Sequence, residues 1–301
     1  MEVRGLVKAY GDQKAVAGID LDVDEGEIVA FLGPNGAGKT TTIEILEGYR
    51  NRTSGEVSVL GVDPESAPLS WRERIGIVLQ ESEPVPELTA AESVTMQSHY
   101  YAKPRSPRQI LELVGLGDSA DQRTSKLSGG QKRRLDLALA LVGDPDLVFL
   151  DEPTTGFDPS ARRESWGMIE ALRDLGRTVL LTTHYMDEAE HLADRIAVIS
   201  AGRIVATGTA KELANQVKAK PKILWRHQLA GPTPPTDLNV VIDRHWAEIE
   251  TSDVVATANA LTSWALSQGA ELDDLTIRHP SLEDVYLLLT EQAEHREQGE
   301  R

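Results

Sequence analysis

Gly33-Pro34-Asn35-Gly36-Ala37-Gly38-Lys39-Thr40 decides how this chain is read. The spacing Gly-x-x-x-x-Gly-Lys-Thr lets successive backbone N–H groups turn inward around phosphates, while lysine neutralises their charge and a hydroxyl is left for a metal ion. An ordinary glycine-rich turn needs no lysine. Working outward, Glu27 to Leu32 is a short apolar run suited to a buried strand, and Thr41 to Leu46 continues at helical spacing. The loop therefore joins a strand to a helix, whose N-terminus adds its own attraction for phosphate. This is the pattern of a nucleoside triphosphate site.

A second stretch, Leu127-Ser128-Gly129-Gly130-Gln131, is placed as informatively. Ser128 can cap a helix whose apolar positions Leu135, Ala138, Leu139 and Val142 share a face, and Asp144-Pro145 ends it. Glycine in a first turn costs about 1 kcal/mol relative to alanine. Two of them imply that something approaches the backbone closely, and with Ser128 they form another anion-binding helix start.

Together these stretches resemble the ATP-binding cassette (ABC) ATPases, and the remaining motifs can be set against that family one by one. Leu147-Val148-Phe149-Leu150-Asp151-Glu152 resembles its Walker B strand, four apolar residues followed by two carboxylates. Strand side chains alternate, so Asp151 is expected to face a metal ion and Glu152 the water that attacks the γ-phosphate. Gln80, after the strand-like run Ile75 to Leu79, is similar to the Q-loop glutamine. His184, after Thr178 to Thr183, is similar to the switch histidine. Asp158 in Thr154-Thr155-Gly156-Phe157-Asp158-Pro159 resembles the D-loop, with Phe157 where leucine is common. Tyr10 corresponds to the aromatic residue that stacks on adenine.

The resemblance implies an α/β P-loop NTPase fold: a RecA-like core, an antiparallel β subdomain and a helical signature subdomain, followed here by a small α+β C-terminal domain. It implies an active ATPase using ATP and Mg²⁺. ATP is expected on Tyr10, Gly33, Pro34, Asn35, Gly36, Ala37, Gly38, Lys39, Thr40 and Thr41. Mg²⁺ is expected on Thr40, Gln80 and Asp151, and catalysis on Glu152, His184, Gln80 and Lys39. Ser128, Gly129, Gly130, Gln131 and Asp158 are expected to reach ATP across a dimer interface.

Composition agrees. The 301 residues suggest about two domains. Without cysteine there is no disulfide framework and no thiolate metal site, and the seven histidines show no paired metal-ligand spacing. No stretch reaches the roughly 20 apolar residues of a membrane span, and no signal core is seen. The chain is accordingly expected neither to span the membrane nor to be exported. A formal net charge of −17 argues against wrapping nucleic acid or anchoring to acidic lipid.

Met1 to Val7 and Ala15 to Val23 read as antiparallel strands beside the nucleotide core. Ala90 to Tyr101 and Pro107 to Val114 read as helices of a subdomain over about 83–135. Ile196 to Val205 reads as a hairpin turning at Ala201-Gly202, and Thr209 to Lys218 as a closing helix, giving an ATPase domain over 1–218. A smaller domain follows over 221–290. It has a strand over Ile223 to Leu229, a second near Val240, a helical stripe at Val254, Ala258, Leu261 and Ala265, and a short strand over Leu275 to Ile277. Ser281-Leu282-Glu283-Asp284 is a capping box opening a last helix. Residues 291–301 read as a polar, fraying tail.

Thr182 to Glu190 and Pro280 to Tyr286 resemble ATPase subunits of daunorubicin-resistance-type drug and multidrug exporters. That resemblance implies a separate membrane permease, a homodimer sandwiching ATP, and a peripheral place on the cytoplasmic face of the membrane. Glu81, Val85 and Leu88, beside Gln80, are the docking candidates. The alternatives are an ABC ATPase serving translation or DNA maintenance, and a non-enzymatic nucleotide sensor. The first commonly carries paired cassettes or a coiled-coil insertion, and the second has no need of Glu152 and His184.

Overall fold

The computed structural model describes residues 1–80, 84–227 and 231–299, and it divides into two compact units, Met1–Ala210 and Lys211–Arg301. Among the described residues no helix is long and apolar enough to cross a membrane.

In the first unit, β1 (Glu2–Tyr10) pairs antiparallel with β2 (Gln13–Asp22), as expected, and on its other side with β4 (Ser54–Ser58). β4 carries almost no sequence signal, since Val57 is its one large apolar residue. The larger sheet is built on β3 (Ile28–Leu32), β5 (Ile75–Val78), β6 (Leu147–Asp151), β7 (Thr178–Thr183), β8 (Arg195–Ser200) and β9 (Arg203–Gly208). Their order is β5-β6-β7-β3-β8-β9, with all but β9 parallel. Every residue of β3, β6 and β7 is buried, as parallel strands covered on both faces require. The β8–β9 turn falls on Ala201-Gly202, with φ of 47° and 76°, the geometry that matches strand twist in tight hairpins.

Helices α1 (Lys39–Leu46), α2 (Leu69–Arg72), α6 (Pro159–Asp174) and α7 (Met186–Leu192) accompany the sheet, while α3 (Ala90–Ser98), α4 (Pro107–Leu113) and α5 (Gly129–Leu141) pack on one another between β5 and β6. Leu6 and Ile19 of the small sheet, Phe31, Phe149 and Leu180 of the large one, and Ile43 and Leu46 of α1 share one hydrophobic core. That burial fixes the strand ends on which the site is built.

The second unit takes in nearly all of α8 (Ala210–Gln216), the helix expected to close the first domain, so the compact division falls ahead of the expected boundary near Lys218. Its antiparallel sheet is ordered β11 (Val241–Asp243), β12 (Trp246–Glu250), β10 (Lys222–Arg226), β13 (Asp273–Arg278). Helix α9 (Val254–Gln268) sets Leu261 against Ile223, Trp225, Ala247 and Ile249. β10 ends at Arg226, short of the expected Leu229, which lies outside the described residues. β12 was signalled by its alternation, Ala247 and Ile249 inward and Trp246 and Glu250 outward, but the expectation stopped at one strand near Val240. The expected capping box forms, with Ser281 Oγ accepting from Asp284 N at 3.2 Å and Asp284 Oδ2 accepting from Ser281 N at 3.0 Å. Helix α10 (Leu282–Gly299) then takes in most of the expected tail, whose Glu, Gln, Ala and Arg are good helix formers without an apolar stripe.

Candidate active site

The chemistry collects where parallel strands end. β3 leads into the glycine loop, β6 into Asp151-Glu152, β7 into His184 and β5 into Gln80. In an open α/β sheet, ligands bind outside the carboxyl ends of the strands. Residues far apart in sequence are thereby brought to one edge.

Gly36 and Gly38 have φ of 80° and 103°. A Cβ on Gly38 would lie 2.4 Å from Ala15 O, and one on Gly33 would lie 2.5 Å from Ile199 O. The two ends of the loop are thus wedged against β8 and β2, with no room for a side chain at Gly33 or Gly38. Gly38 opens α1 without a side-chain cap. The first N–H groups of that helix therefore have no intrahelical acceptor and suit an anion.

Lys39 and Glu152 are 4% and 6% exposed, and Lys39 Nζ lies 3.1 Å from Glu152 Oε1. The ammonium also donates to Gly33 O at 2.9 Å and Pro34 O at 3.2 Å. Three acceptors match its three protons. The other Glu152 oxygen accepts from Thr155 Oγ1 at 3.0 Å and lies 3.3 Å from His184 Nδ1, which makes no hydrogen bond and is buried. Burial works to push the Glu152 carboxyl up, but the hydrogen bond and charge of Lys39 outweigh it, helped by Thr155 and His184, and hold the carboxyl below its usual range.

Glu152 does not continue the strand, as simple alternation from Asp151 predicts. It lies beyond β6 with φ of +45°, a left-handed conformation unusual for a residue with a side chain, and its N–H donates to Thr182 Oγ1 at 2.9 Å. The turn, not the pleat, aims its carboxylate. The same Thr182 hydroxyl donates to Asp151 Oδ1, so one threonine of β7 fixes both acidic residues.

Three residues that sequence reasoning passed over hold this edge together: Thr182, Arg133 and Glu188. Arg133, on α5, donates to Leu79 O, to Pro153 O at 2.9 Å and to Asp151 O at 3.1 Å. It ties the signature helix to the strand end before Gln80 and to the turn carrying Glu152. Glu188 of α7 is fully buried, accepting from Thr154 Oγ1 at 2.7 Å and Trp166 Nε1 at 3.3 Å. Burial raises its carboxyl above the usual range.

Ser128 caps α5 as expected, accepting from Gln131 N at 3.2 Å while Gln131 Oε1 accepts from Ser128 N at 2.9 Å. A Cβ on Gly129 or Gly130 would meet nothing within 4 Å. The chain itself therefore has no packing reason for glycine at either position. Asp158 caps α6, accepting from Ser160 N at 2.8 Å and Ala161 N at 3.0 Å. Pro34, Asn35, Thr40 and Gln80 are exposed, and Gln80 makes no hydrogen bond with the Lys39, Glu152 and His184 group. Tyr10 is half exposed, with Lys8 Nζ 5.1 Å from its ring centroid and its hydroxyl accepting from Arg50 at 2.5 Å.

Residues 16–155 match the ABC transporter family, and 229–281 match the C-terminal domain of ABC transporter domain-containing-like proteins. The daunorubicin/doxorubicin resistance ATP-binding protein DrrA of Streptomyces peucetius is 46% identical, over 72% of this chain and 67% of its own. Nod factor export ATP-binding protein I of Rhizobium meliloti (strain 1021) is 38% identical over 96% of this chain and 88% of its own. Among solved structures, an ATP-binding subunit of an ABC transporter aligns with a TM-score of 0.65 at 27% identity, covering 72% of this chain and 92% of that one. A dimeric ATP-binding cassette in a post-hydrolysis state with ADP and phosphate aligns with a TM-score of 0.62 at 27% identity, covering 69% and 97%. The glycine loop, the paired acidic residues and these likenesses agree: the chain belongs to the ABC transporter family and is an ATP-binding, ATP-hydrolysing subunit.

Proposed function

We propose that this ATPase powers export of a drug-like or other small molecule through a separate membrane permease, working as a homodimer at the cytoplasmic face of the membrane. The observation that carries the chemistry is the buried pair of Lys39 and Glu152, with half-buried His184 beside it, at the mouth of the glycine loop. Residues 33–41 take the phosphates and Tyr10 stacks on adenine. Lys39 has no spare proton, so an arriving phosphate oxygen must displace one of its acceptors. Glu152 is the displaceable one. Its release leaves a carboxylate beside the γ-phosphate, free to orient and deprotonate the attacking water, with His184 contacting the same phosphate. Substrate arrival and liberation of the base become one event.

Thr40, Gln80 and Asp151 offer a hydroxyl, an amide and a carboxylate, an all-oxygen set that suits Mg²⁺, and among the described residues no cluster of His, Cys, Asp and Glu suits a softer metal. The ion would supply positive charge against the phosphate oxygens. Ser128, Gly129, Gly130, Gln131 and Asp158 serve the nucleotide of the other subunit. Val85, which is exposed, and Leu88 belong to the docking segment, as does Glu81, which lies outside the described residues.

Hydrolysis by the purified chain tests the reading. Glu152→Gln should lower turnover by about 10²- to 10⁴-fold while ATP binding persists. Unchanged turnover removes Glu152 from the role. Val85→Asp with Leu88→Asp should abolish co-purification with the permease while basal hydrolysis and melting temperature hold, and retained co-purification removes that surface.

A further inference from the structure

The Arg133 guanidinium meets the site only through main-chain oxygens. Its Nε donates to Pro153 O at 2.9 Å, its Nη2 to Asp151 O at 3.1 Å and Glu152 O at 3.5 Å, and its Nη1 to Leu79 O. The side chain is 12% exposed, and Asp136, one turn further along α5, lies 3.8 Å from Nη1 and answers its charge. A guanidinium presents five N–H groups in a planar fork and accepts nothing, so it can gather several oxygens at once in a fixed geometry.

Three consecutive carbonyls, those of residues 151, 152 and 153, converge on that fork. Successive carbonyls of an extended strand alternate in direction, so convergence requires the chain to turn, and it turns at Glu152 with φ of +45°. A left-handed glutamate persists only where its surroundings hold it. Two groups do so from either side of the residue: Thr182 Oγ1 takes the N–H at 2.9 Å, and Arg133 takes the carbonyls. Packing does not need this side chain, because buried Leu135, Ala138 and Leu141 already fasten α5. Burial of the guanidinium carries its own cost, seen in a pKa drawn below the usual arginine range. Through Leu79 O the same group also ties the turn to the residue before Gln80.

We propose that Arg133 is the positioning residue for Glu152. Its fork clasps the 151–153 turn in the left-handed form that aims the carboxylate, and makes that aim depend on where α5 and the chain end before Gln80 stand. The proposal rests on the reading of Glu152 as the residue that activates water.

The test uses the full chain with Arg133→Met, which keeps a long stem without donors, and Arg133→Lys, which keeps the charge without the fork. Arg133→Met should lower kcat about 10- to 100-fold, the scale of a small misplacement of a catalytic group, while KM and ATP affinity stay within about twofold. Arg133→Lys should recover part of this and remain at least about threefold below the parent. Hydrogen exchange gives a readout apart from turnover: the Glu152 amide should exchange at least about tenfold faster in both variants, while the amides of Val148 and Phe149 in β6 keep their rates. In a Glu152→Gln background, Arg133→Met should cost no further turnover, because nothing is left to aim. A lower melting temperature with kcat and Glu152 exchange unchanged would overturn the clasp in favour of plain packing. ATP affinity lost in step with kcat, or an undiminished fall in kcat in the Glu152→Gln background, would overturn it too. Full turnover in Arg133→Lys would show that charge suffices, and that variant carries the test if Arg133→Met does not fold. Unchanged turnover of Glu152→Gln alone would instead remove the base, so the two readings fail separately.

Discussion

The starts of α1 and α5 are both glycine-rich and both suit an anion, yet they are finished differently. At α1, the glycine and the lysine at the helix start are answered within the chain: Gly38 is pressed against Ala15, and the Lys39 ammonium is filled by Gly33, Pro34 and Glu152. At α5, Ser128 and Gln131 cap each other, Ser128 and Gly129 are exposed, and neither Gly129 nor Gly130 touches anything that forbids a side chain. One is a complete half of a site. The other has a sequence that its own chain does not explain, and a second copy would.

The sharpest break between them is expected at the glycines. Gly38→Ala places a methyl 2.4 Å from a backbone oxygen at a φ of 103°, and should yield little folded protein, read by melting and expression. Gly130→Ala should melt at the same temperature or above, because alanine is the better helix former by up to about 1 kcal/mol. It should nevertheless lose ATP-driven assembly. A Gly130→Ala protein that is destabilised would return this glycine to a role inside its own chain.

Lys39→Ala comes next. ATP affinity should fall by roughly 30- to 5,000-fold, the range for truncating one partner of a buried charge pair. Ser128→Ala should leave the affinity of the single chain unchanged and cost about 1 kcal/mol of stability through the lost cap. Equal effects of both on monomer affinity would erase the distinction.

How far the sequence reveals each part follows from the range of the interactions involved. The glycine loop, the capped signature helix, the buried β6 strand and His184 after β7 are written in neighbouring residues, through apolar runs, capping chemistry and turn glycines. The aim of Glu152 is not. It depends on a left-handed turn and on Thr182, thirty positions away in sequence. Arg133 and Glu188 act through guanidinium and carboxylate contacts that join separate elements, and nothing beside them in the chain marks their partners. In the second unit, the hairpin of β11 and β12 escaped because its turn at Arg244, with φ of 52°, uses neither glycine nor asparagine.

Two pH responses give smaller effects on the same side of the comparison. Glu152 has a folded pKa below its unfolded value, so its pairing stabilises the protein above the ordinary carboxylate range and is lost as pH falls through the lower folded value. Lys39→Ala should move that loss to higher pH. Glu47, buried at the end of α1, runs the other way: burial first, then Asp151 and Glu44, pushes its folded value up to about 8, above the unfolded one, so stability falls as pH rises from the carboxylate range through 8. Glu47→Gln should therefore melt higher than the parent, with the gap widening between pH 5 and about pH 8.5. A gap that narrows would place the carboxylate in contact with an internal cation.

The claim that the two helix starts complete each other between subunits is tested most directly by the mass of the Glu152→Gln protein in solution, measured by light scattering with and without ATP. The account predicts a dimer with ATP, a monomer without it, and no dimer when Ser128→Arg is added, although that double variant still binds ATP. ATP-saturated Glu152→Gln that stays monomeric, or dimers that survive Ser128→Arg unchanged, would contradict it.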